Sequence, residues 1–400
     1  MKYCIIIPDG MADYQIEKLG GKTPLEAAET PNFDTIASQG LTGLVHTVPE
    51  AFAPGSDIAC LSVLGYDPSV YYTGRAPLEA ASLGIKLRDE DWAIRCNLIT
   101  RNSDILEDFC AGHITNKEAG DIISTLNEKL GNDTIQFHAG KSYRNILIYR
   151  GNRSIDADCT PPHDIIGQSI ESNLPRGNGE ELLIDLMMKS YEILSDHSVN
   201  RVRRGLNQKP ANMIWLWGQG KRPTLPFFKE IYHLSGAVIT GVDLLKGLGV
   251  ILGWEIIDVP GATGYLDTDY DAKARYAIEA FNTHDLVLIH VEAPDEAGHE
   301  GNIGEKIRAI ENIDSKIVGP LHTALKKFGN FRMLILPDHY TPIQERTHTR
   351  EPVPFAMYGA DFHEKSTLAF SESNAALTNL EIHKGHTLMR HFIEGTLSSS

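Results

Sequence analysis

Short apolar runs of strand length alternate with amphipathic helical stretches along much of this 400-residue chain. Residues 286–291 and 333–336 are two such runs, and helical patterns precede them at 271–281 and 305–327. Strands that alternate with helices favour a parallel sheet covered by helices on both faces. The sequence therefore predicts an α/β fold built on a parallel sheet.

Acids and imidazoles collect where the predicted strands end. In α/β proteins catalytic groups gather at these positions, because a buried strand fixes the start of the loop that follows it. Oxygen and nitrogen ligands of this mix suit Zn²⁺ or Mn²⁺. Any one of these side chains is more often an ordinary turn or surface residue, so the prediction of a two-metal site depends on the whole group. Its members are Asp9, Asp295, His299, Asp338, His339 and His348.

The candidate ligands divide into two sets. Side chains at adjacent positions point in different directions, so Asp338 and His339 can serve different faces or different ions. Asp295 and His299 share a polar loop after the run 286–291, and their spacing presents both together. One ion could be held by Asp9, Ser56, Asp338 and His339, and the other by Asp295, His299 and His348.

Ser56 follows a tight turn and opens a predicted helix. Serine is a good N-cap residue, and the local stretch alone favours that role. A serine at a helix N-terminus can also be a nucleophile, because the backbone N–H groups and the helix dipole stabilise an alkoxide or a phosphate there. A nearby metal lowers the pKa of the hydroxyl, so a two-metal site favours the nucleophile.

The middle of the chain predicts a smaller inserted domain. Residues 85–175 combine a strand, an amphipathic helix, an antiparallel strand pair and a Pro- and Gly-rich loop, which together predict an α+β insertion. We expect the core domain to comprise 1–84 and 176–400. The basic residues of the insertion suggest a lid that supplies positive charge to a substrate.

Several cations are candidates for binding an anionic substrate, although each arginine of the insertion alone is more often a solvated surface residue. Glycines at 218 and 220, followed by Lys-Arg, fit close backbone approach to an anion or a plain turn. The candidate substrate-binding residues are Arg75, Arg95, Arg144, Lys221 and Lys246.

Composition restricts the partners and the compartment. A formal net charge of −16 argues against nucleic acid and anionic membranes as bulk partners, but it allows a small anionic substrate in a local cleft. The five cysteines form no C-x-x-C pair, which is typical of reduced thiols. No window approaches the ~18 apolar residues of a membrane span. We expect a soluble, cytoplasmic protein whose residues 398–400 fray.

Longer motifs around these residues resemble a known family. Asp9 in PDGM, Ser56 in PGSD, Asp295 and His299 in EAPDEAGHEG, the pair 338–339 and His348 resemble the binuclear metalloenzymes of the alkaline phosphatase superfamily. Six further stretches resemble the archaeal-type, cofactor-independent phosphoglycerate mutases, and this resemblance extends over nearly the whole chain. They are TPNFDTIASQG, APGSDIACLSVLGYDP, YTGRAPLEAASLGI, RCNLIT, WLWGQG and VPGATGYLDT.

The resemblance implies an alkaline-phosphatase-like three-layer core and a phosphoserine mechanism. Ser56 would take the phosphoryl group of 3-phosphoglycerate and return it to the 2-hydroxyl, a reaction of glycolysis and gluconeogenesis. Two divalent ions (Mn²⁺ or Zn²⁺, with Mg²⁺ and Co²⁺ as alternatives) would be required, and 2,3-bisphosphoglycerate would not. Lys246 and the 218–222 loop would contact phosphate, and Arg75 with the lid arginines would hold phosphate and carboxylate.

Three other functions stay open on the sequence. A homoserine kinase of the same subgroup would also work through Ser56, because the chain has no P-loop or kinase Gly-rich loop. A metal-dependent phosphatase or sulfatase would differ only in letting water reach the intermediate. A degenerate member acting as a binding module is disfavoured, since every metal-site position is filled.

Overall fold

The structure is a computed structural model that describes residues 1–360, 362 and 365–396, so the predicted fraying of 398–400 lies outside it. The chain forms two compact units. The first comprises Met1–Tyr72 and Leu225–Ser400, and the second comprises Thr73–Thr224. Across the described residues, no helix is both long enough and apolar enough to cross a membrane.

The elements are numbered along the chain. The strands are β1 (Lys2–Pro8), β2 (Leu41–Val45), β3 (Trp92–Asn102), β4 (Ile105–Asp108), β5 (Ile135–Lys141), β6 (Arg144–Tyr149), β7 (Met213–Lys221), β8 (Gly236–Ile239), β9 (Glu255–Ile256), β10 (Leu286–Val291), β11 (Phe331–Ile335), β12 (Val353–Gly359) and β13 (Glu381–Ile382). The α-helices are α1 (Pro24–Ala27), α2 (Pro31–Gln39), α3 (Ser56–Val63), α4 (Pro68–Tyr71), α5 (Arg75–Ser82), α6 (Asn116–Leu130), α7 (Glu180–Leu194), α8 (Ser198–Gly205), α9 (Phe228–Tyr232), α10 (Asp243–Leu252), α11 (Tyr270–Ala280), α12 (Ala293–Glu300), α13 (Ile303–Ile313), α14 (Gly319–Leu325), α15 (Glu372–Leu377) and α16 (Leu388–Glu394).

The first unit is built on an eight-stranded sheet with the order β13-β2-β12-β11-β1-β10-β8-β9. β1 lies in its centre, where Ile5 pairs in parallel with Leu288 of β10 and with Leu334 of β11. These three isoleucine and leucine side chains are fully buried, as expected for parallel strands covered on both faces. The prediction of an α/β fold with a parallel sheet is confirmed. β12 runs antiparallel to both β11 and β2, so the sheet is mixed on that side.

Two predicted elements have a different form in the structure. The single helix predicted over 305–327 is α13 and α14 joined by a π-helical turn at Asp314–Val318. Pro320 follows this turn and has no N–H to donate, which interrupts the regular hydrogen-bond ladder. The polar loop predicted after β10 is a helix, α12, with Pro294 in its first turn. Proline is favoured there because that N–H would have no partner within the helix.

The second unit is larger than the insertion predicted at 85–175 and is organised around β3. β6 and β7 both pair with β3 in antiparallel register, with Arg95 opposite Ile146 and Trp217. The sequence prediction assigned the strand near 212–217 to the core domain. It belongs to this second sheet instead, and α5 and α7 pack on the same sheet. These long-range contacts move the unit's boundaries outward to 73 and 224.

Candidate active site

The carboxyl ends of three neighbouring strands bring the predicted ligands together within the first unit. Asp9 follows β1, Asp295 follows β10, and Asp338 and His339 follow β11. Because β11, β1 and β10 are adjacent and parallel, their ends meet at one edge of the sheet. Asp9, Asp338 and His339 are almost completely removed from solvent. Buried carboxylates and imidazoles need partners, so this edge is a candidate functional site.

One cluster contains Asp9, Ser56, Asp338 and His339. The Nε2 atom of His339 lies 3.5 Å from Asp9 Oδ1, 3.4 Å from Asp338 Oδ2 and 3.2 Å from Ser56 Oγ. Ser56 is the first residue of α3, and Gly55 is the N-cap. The N-cap role considered for Ser56 is therefore wrong, and its hydroxyl faces the cluster instead.

A second cluster contains Asp295, His299 and His348. The Nε2 atoms of the two histidines are 3.0 Å apart, and they lie 3.2 Å (His299) and 3.4 Å (His348) from the Asp295 carboxylate. Asp295 and His299 are four residues apart on α12, and this spacing puts both on one helix face. The rings of His339 and His348 are 4.0 Å apart, so the two clusters adjoin.

Both clusters have the donor atoms that divalent cations require. Within each cluster the carboxylate and imidazole atoms lie within 4.8 Å of one another. Ligand atoms about 2.0–2.2 Å from a Zn²⁺ ion are themselves roughly 3–3.5 Å apart, so small adjustments would suffice to bind one. Among the described atoms, Asp9 Oδ1 is buried and accepts no hydrogen bond, which leaves it available to a cation. The residues fit a pair of divalent ions.

The backbone at Gly10 is shaped to keep this space open. Gly10 adopts a φ of +58° between the two clusters, and its N–H donates to Asp338 Oδ1 at 3.1 Å. A Cβ at this position would come within 2.5 Å of Asp295 Oδ1 and 2.4 Å of Thr341 Oγ1. Only glycine therefore satisfies both the left-handed backbone and the close approach of Asp295 and Thr341.

The ionisation of the site reflects its dense charge. Burial, followed by the charges of Asp338 and Asp295, raises the pKa of Asp9 well above its ordinary value. Burial lowers the pKa of His339 to about 4. Burial also opposes the charge of His299, but the hydrogen bond and charge of Asp295 outweigh it and raise the pKa of His299 to about 9. Bound cations would stabilise the ionised acids here.

Three neighbours of the site were missed by the sequence reasoning. His290 lies in β10, and its Nε2 is 3.1 Å from Asp9 Oδ2. Cys60 on α3 approaches Asp338 Oδ2 with its Sγ at 3.8 Å. Thr341 donates a hydrogen bond to Asp295 Oδ1 and lies 3.2 Å from His339 Nδ1, so it joins the two clusters. For His290 the sequence did contain a signal, because a histidine within an apolar strand is buried and needs a polar partner.

The three predicted substrate-binding arginines lie in the second unit, where Arg75 and Arg95 contact the same glutamate, Glu79. The guanidinium of Arg95 is 2.9 Å from Glu79 Oε2 and stacks 4.2 Å from the centre of the Trp217 ring. Arg75 at the start of α5 reaches Glu79 Oε1 at 3.3 Å. Burial lowers the pKa of Arg95 to about 10; Glu79 opposes this, while the positive charges of Arg75 and Arg144 add to it. These three side chains form an arginine cluster whose positive charges act on one another.

The backbone holds Arg75 close to the end of β7. A Cβ on Gly74 would lie 2.2 Å from the carbonyl oxygen of Gln219, and one on Gly220 would lie 2.1 Å from that of Thr73. The predicted loop at 218–222 is thus mostly strand, since β7 continues to Lys221. Gly218 has a φ of +59° where the register of β7 with β3 shifts.

The two predicted lysines have ordinary ion-pair partners. Lys221 lies 3.4 Å from Glu90 in the second unit, and Lys246 lies 2.8 Å from Asp258 in the first. Both of these pairs are at least partly exposed. Their roles in substrate binding stay predictions.

Known proteins are similar to this chain in sequence and in fold. A family model described as 2,3-bisphosphoglycerate-independent phosphoglycerate mutase matches residues 37–200. The protein of that name from Methanothrix thermoacetophila is 51% identical over 396 residues, covering 99% of this chain and 100% of the relative.

Two solved structures resemble this one along their full length. A protein from Pyrococcus horikoshii superposes with a TM-score of 0.82 at 28% identity, covering 100% of this chain and 99% of the other. The cofactor-independent phosphoglycerate mutase of Thermoplasma acidophilum gives a TM-score of 0.66 at 27% identity, with coverage of 98% and 99%. By its identity to full-length relatives, the chain belongs to the family of 2,3-bisphosphoglycerate-independent phosphoglycerate mutases.

Proposed function

We propose that the protein interconverts 3-phosphoglycerate and 2-phosphoglycerate, with Ser56 as the residue that carries the phosphoryl group. The observation that carries this proposal is the position of the Ser56 hydroxyl, 3.2 Å from His339 Nε2 at the N-terminus of α3. A helix N-terminus favours a phosphate, because its free N–H groups point towards the anion. The mutase name of the full-length relatives favours this reaction over a homoserine kinase or a phosphatase.

Two divalent cations, Mn²⁺ or Zn²⁺, complete the proposed site. Asp9, Ser56, Asp338 and His339 would hold one, and Asp295, His299 and His348 would hold the other. When bound, such a pair lowers the pKa of a hydroxyl and neutralises the charge of a transferring phosphoryl group.

Because Ser56 carries the phosphoryl group, the reaction needs no 2,3-bisphosphoglycerate. The Oγ of Ser56 forms a bond to phosphorus while the bond from phosphorus to the C3 oxygen of the substrate breaks. The hydroxyl proton of Ser56 ends on that oxygen, which gives free glycerate. The 2-hydroxyl of glycerate then takes the phosphoryl group, and its proton returns to Ser56 Oγ. Water must stay away during this interval, because hydrolysis of the phosphoserine would turn the enzyme into a phosphatase.

The arginine cluster of the second unit is the proposed partner for an anionic group of the substrate. Arg75 and Arg95 both contact Glu79, and the positive charge of Arg144 acts on Arg95; guanidinium groups bind carboxylates and phosphates in bidentate fashion. The interpretation of this unit as a lid stays a prediction.

All five cysteines are free thiols, which agrees with the proposed cytoplasmic location.

The test measures mutase activity with Mn²⁺ and without 2,3-bisphosphoglycerate. Wild-type protein should convert 3-phosphoglycerate to 2-phosphoglycerate, consume no nucleotide and release little phosphate. Ser56→Ala should lose this activity, whereas the matched control Ser69→Ala, at an exposed position, should retain it. Full activity of Ser56→Ala would refute the nucleophile, and steady phosphate release by the wild type would instead indicate a phosphatase.

A further inference from the structure

We propose that the protein has a separate transition-metal site at the edge of its large sheet, formed by His46, Glu381 and His383. β13 is the edge strand and pairs in parallel with β2, with Glu381 opposite Leu44 and Ile382 opposite Val45. The pairing continues past the strand, since the N–H of His46 donates to the carbonyl oxygen of Ile382 at 3.0 Å. Continuing the same register by one residue places His383 beside His46.

Strand geometry puts the three side chains on one face of the sheet. Residues two apart along a strand point to the same side, so Glu381 and His383 share a face with His46. The intervening residues Val45 and Ile382 are buried on the opposite face, towards the core. The three side chains are accessible, with exposed fractions of 33% for His46, 41% for Glu381 and 77% for His383. An ion can therefore reach them from solvent.

The ligand atoms are already close to a chelating arrangement. His46 Nε2 is 2.6 Å from Glu381 Oε1, and His383 Nδ1 is 3.8 Å from the same oxygen. The two imidazole rings are 5.3 Å apart, and all three donor atoms lie within 4.8 Å of one another. Ligands of Zn²⁺ lie roughly 3–3.5 Å apart when each is about 2.0–2.2 Å from the ion. Small side-chain rotations would bring these three to that spacing.

The donor set selects the class of metal. Two imidazoles and one carboxylate, with the remaining positions open to water, suit Zn²⁺, Cu²⁺ or Ni²⁺. Mg²⁺ and Ca²⁺ prefer oxygen ligands and are disfavoured. As a plain hydrogen-bonded pair, the partly exposed His46 and Glu381 would contribute little to stability. The third ligand, His383, is what separates a chelating site from such a pair.

The backbone around the site is tightly packed, so the ligands start from a fixed frame. A Cβ on Gly385 would lie 2.3 Å from the carbonyl oxygen of His46 and 2.5 Å from Ser62 Oγ. The chain after His383 therefore packs directly against His46 and against α3. Ligands on a rigid frame lose little conformational freedom on binding a metal. A bound ion would tie the two-residue edge strand β13 to β2 and stabilise the fold by mass action.

The experiment compares how many Zn²⁺ equivalents the wild type and three variants bind at neutral pH. Equilibrium dialysis followed by elemental analysis should show that His383→Ala binds one equivalent fewer than wild type. His386→Ala is the matched control, because His386 is a neighbouring histidine whose Nε2 is 3.9 Å from Asp67 and outside the three-ligand cluster. It should bind as many equivalents as wild type. His46→Ala should lose the same equivalent as His383→Ala.

Mutase activity separates this site from the central clusters. His383 is 77% exposed, so its substitution should leave both the fold and the activity unchanged while one Zn²⁺ equivalent is lost. Equal Zn²⁺ content in His383→Ala and wild type would overturn the proposal. Loss of activity together with the equivalent would also overturn it, because the missing ion would then belong to the central site. An equal loss in His386→Ala would show unspecific binding by surface histidines.

Discussion

Lys306→Met should weaken both the fold and the candidate active site, because this lysine is a buried cation that joins two ligand-bearing loops. Lys306 has no solvent exposure, and its Nζ donates to Asp13 Oδ2 at 2.8 Å. It also donates to the carbonyl oxygens of Thr341 at 2.8 Å and Ala12 at 3.4 Å. Ala12 lies three residues after Asp9, and Thr341 two residues after His339. The ammonium therefore fixes the loops that hold both residues.

The size of the effect follows from the charge that would be left behind. In Lys306→Met the Asp13 side chain would stay buried without its counter-ion, although the N–H of Ile343 still donates to it at 3.1 Å. Breaking a buried ion pair by removing one partner costs about 3–5 kcal/mol. The free energy of unfolding should fall by about that amount. Relaxation of the two loops should also lower kcat.

Urea denaturation and steady-state kinetics at saturating Mn²⁺ measure the two effects separately. Lys306→Met/Asp13→Asn should be more stable than the single variant, because the orphaned charge is gone while the acceptor for Ile343 N–H remains. Its kcat should stay low, since neither substitution restores the bonds to Ala12 and Thr341. Lys327→Met, at an exposed position, is the control and should match wild type. A Lys306→Met variant with a stability loss below ~1 kcal/mol and wild-type kcat would refute this reasoning.

Two further substitutions test the packing and the electrostatics. Gly10→Ala should abolish metal-dependent activity, because its Cβ would meet Asp295 and Thr341. Gly20 has a similar positive φ of +71°, but a Cβ there would meet no neighbour within 4 Å. Gly20→Ala should therefore lose only about 1 kcal/mol of stability and keep its activity. Equal activities of Gly10→Ala and Gly20→Ala would contradict the steric account. Burial raises the pKa of Glu372 to about 7 from an ordinary value of 4.5, so the folded state holds an extra proton between these pH values. Stability should therefore fall as the pH rises from about 4.5 to 7, by at most about 3 kcal/mol. Glu372→Gln should lack this part of the decline in urea denaturation at pH 5 and pH 8, and an identical decline in both proteins would exclude Glu372 as its source.

The parts of the fold that depend on local patterns could be predicted from the sequence. Apolar runs and their polar ends located β1, β10 and β11, and with them the positions of Asp9 and Asp338. The turn before Ser56 also located the start of α3, whereas the role of Ser56 as a nucleophile stays a proposal. The metal-ligand assignments themselves stay a proposal.

What the sequence did not show depends on contacts between distant residues. The pairing of β7 with β3 joins segments more than a hundred residues apart, and no local pattern encodes it. His290 was hidden inside an apolar strand, and Lys306 belongs to a residue type that is almost never fully buried. α12 was predicted as a loop because its residues are largely polar, although Pro294 is of a type favoured in the first turn of a helix.

Acid quenching during turnover, followed by peptide mass analysis, tests the central claim most directly. Protein mixed with 3-phosphoglycerate and Mn²⁺ should carry one phosphoryl group on the peptide that contains Ser56. The group should be absent when a chelator replaces Mn²⁺, and absent in Asp338→Asn, which retains the serine but lacks one proposed ligand charge. If the active enzyme carries the phosphoryl group on another residue, the account is contradicted. Phosphorylation of Ser56 in the absence of metal would also contradict it.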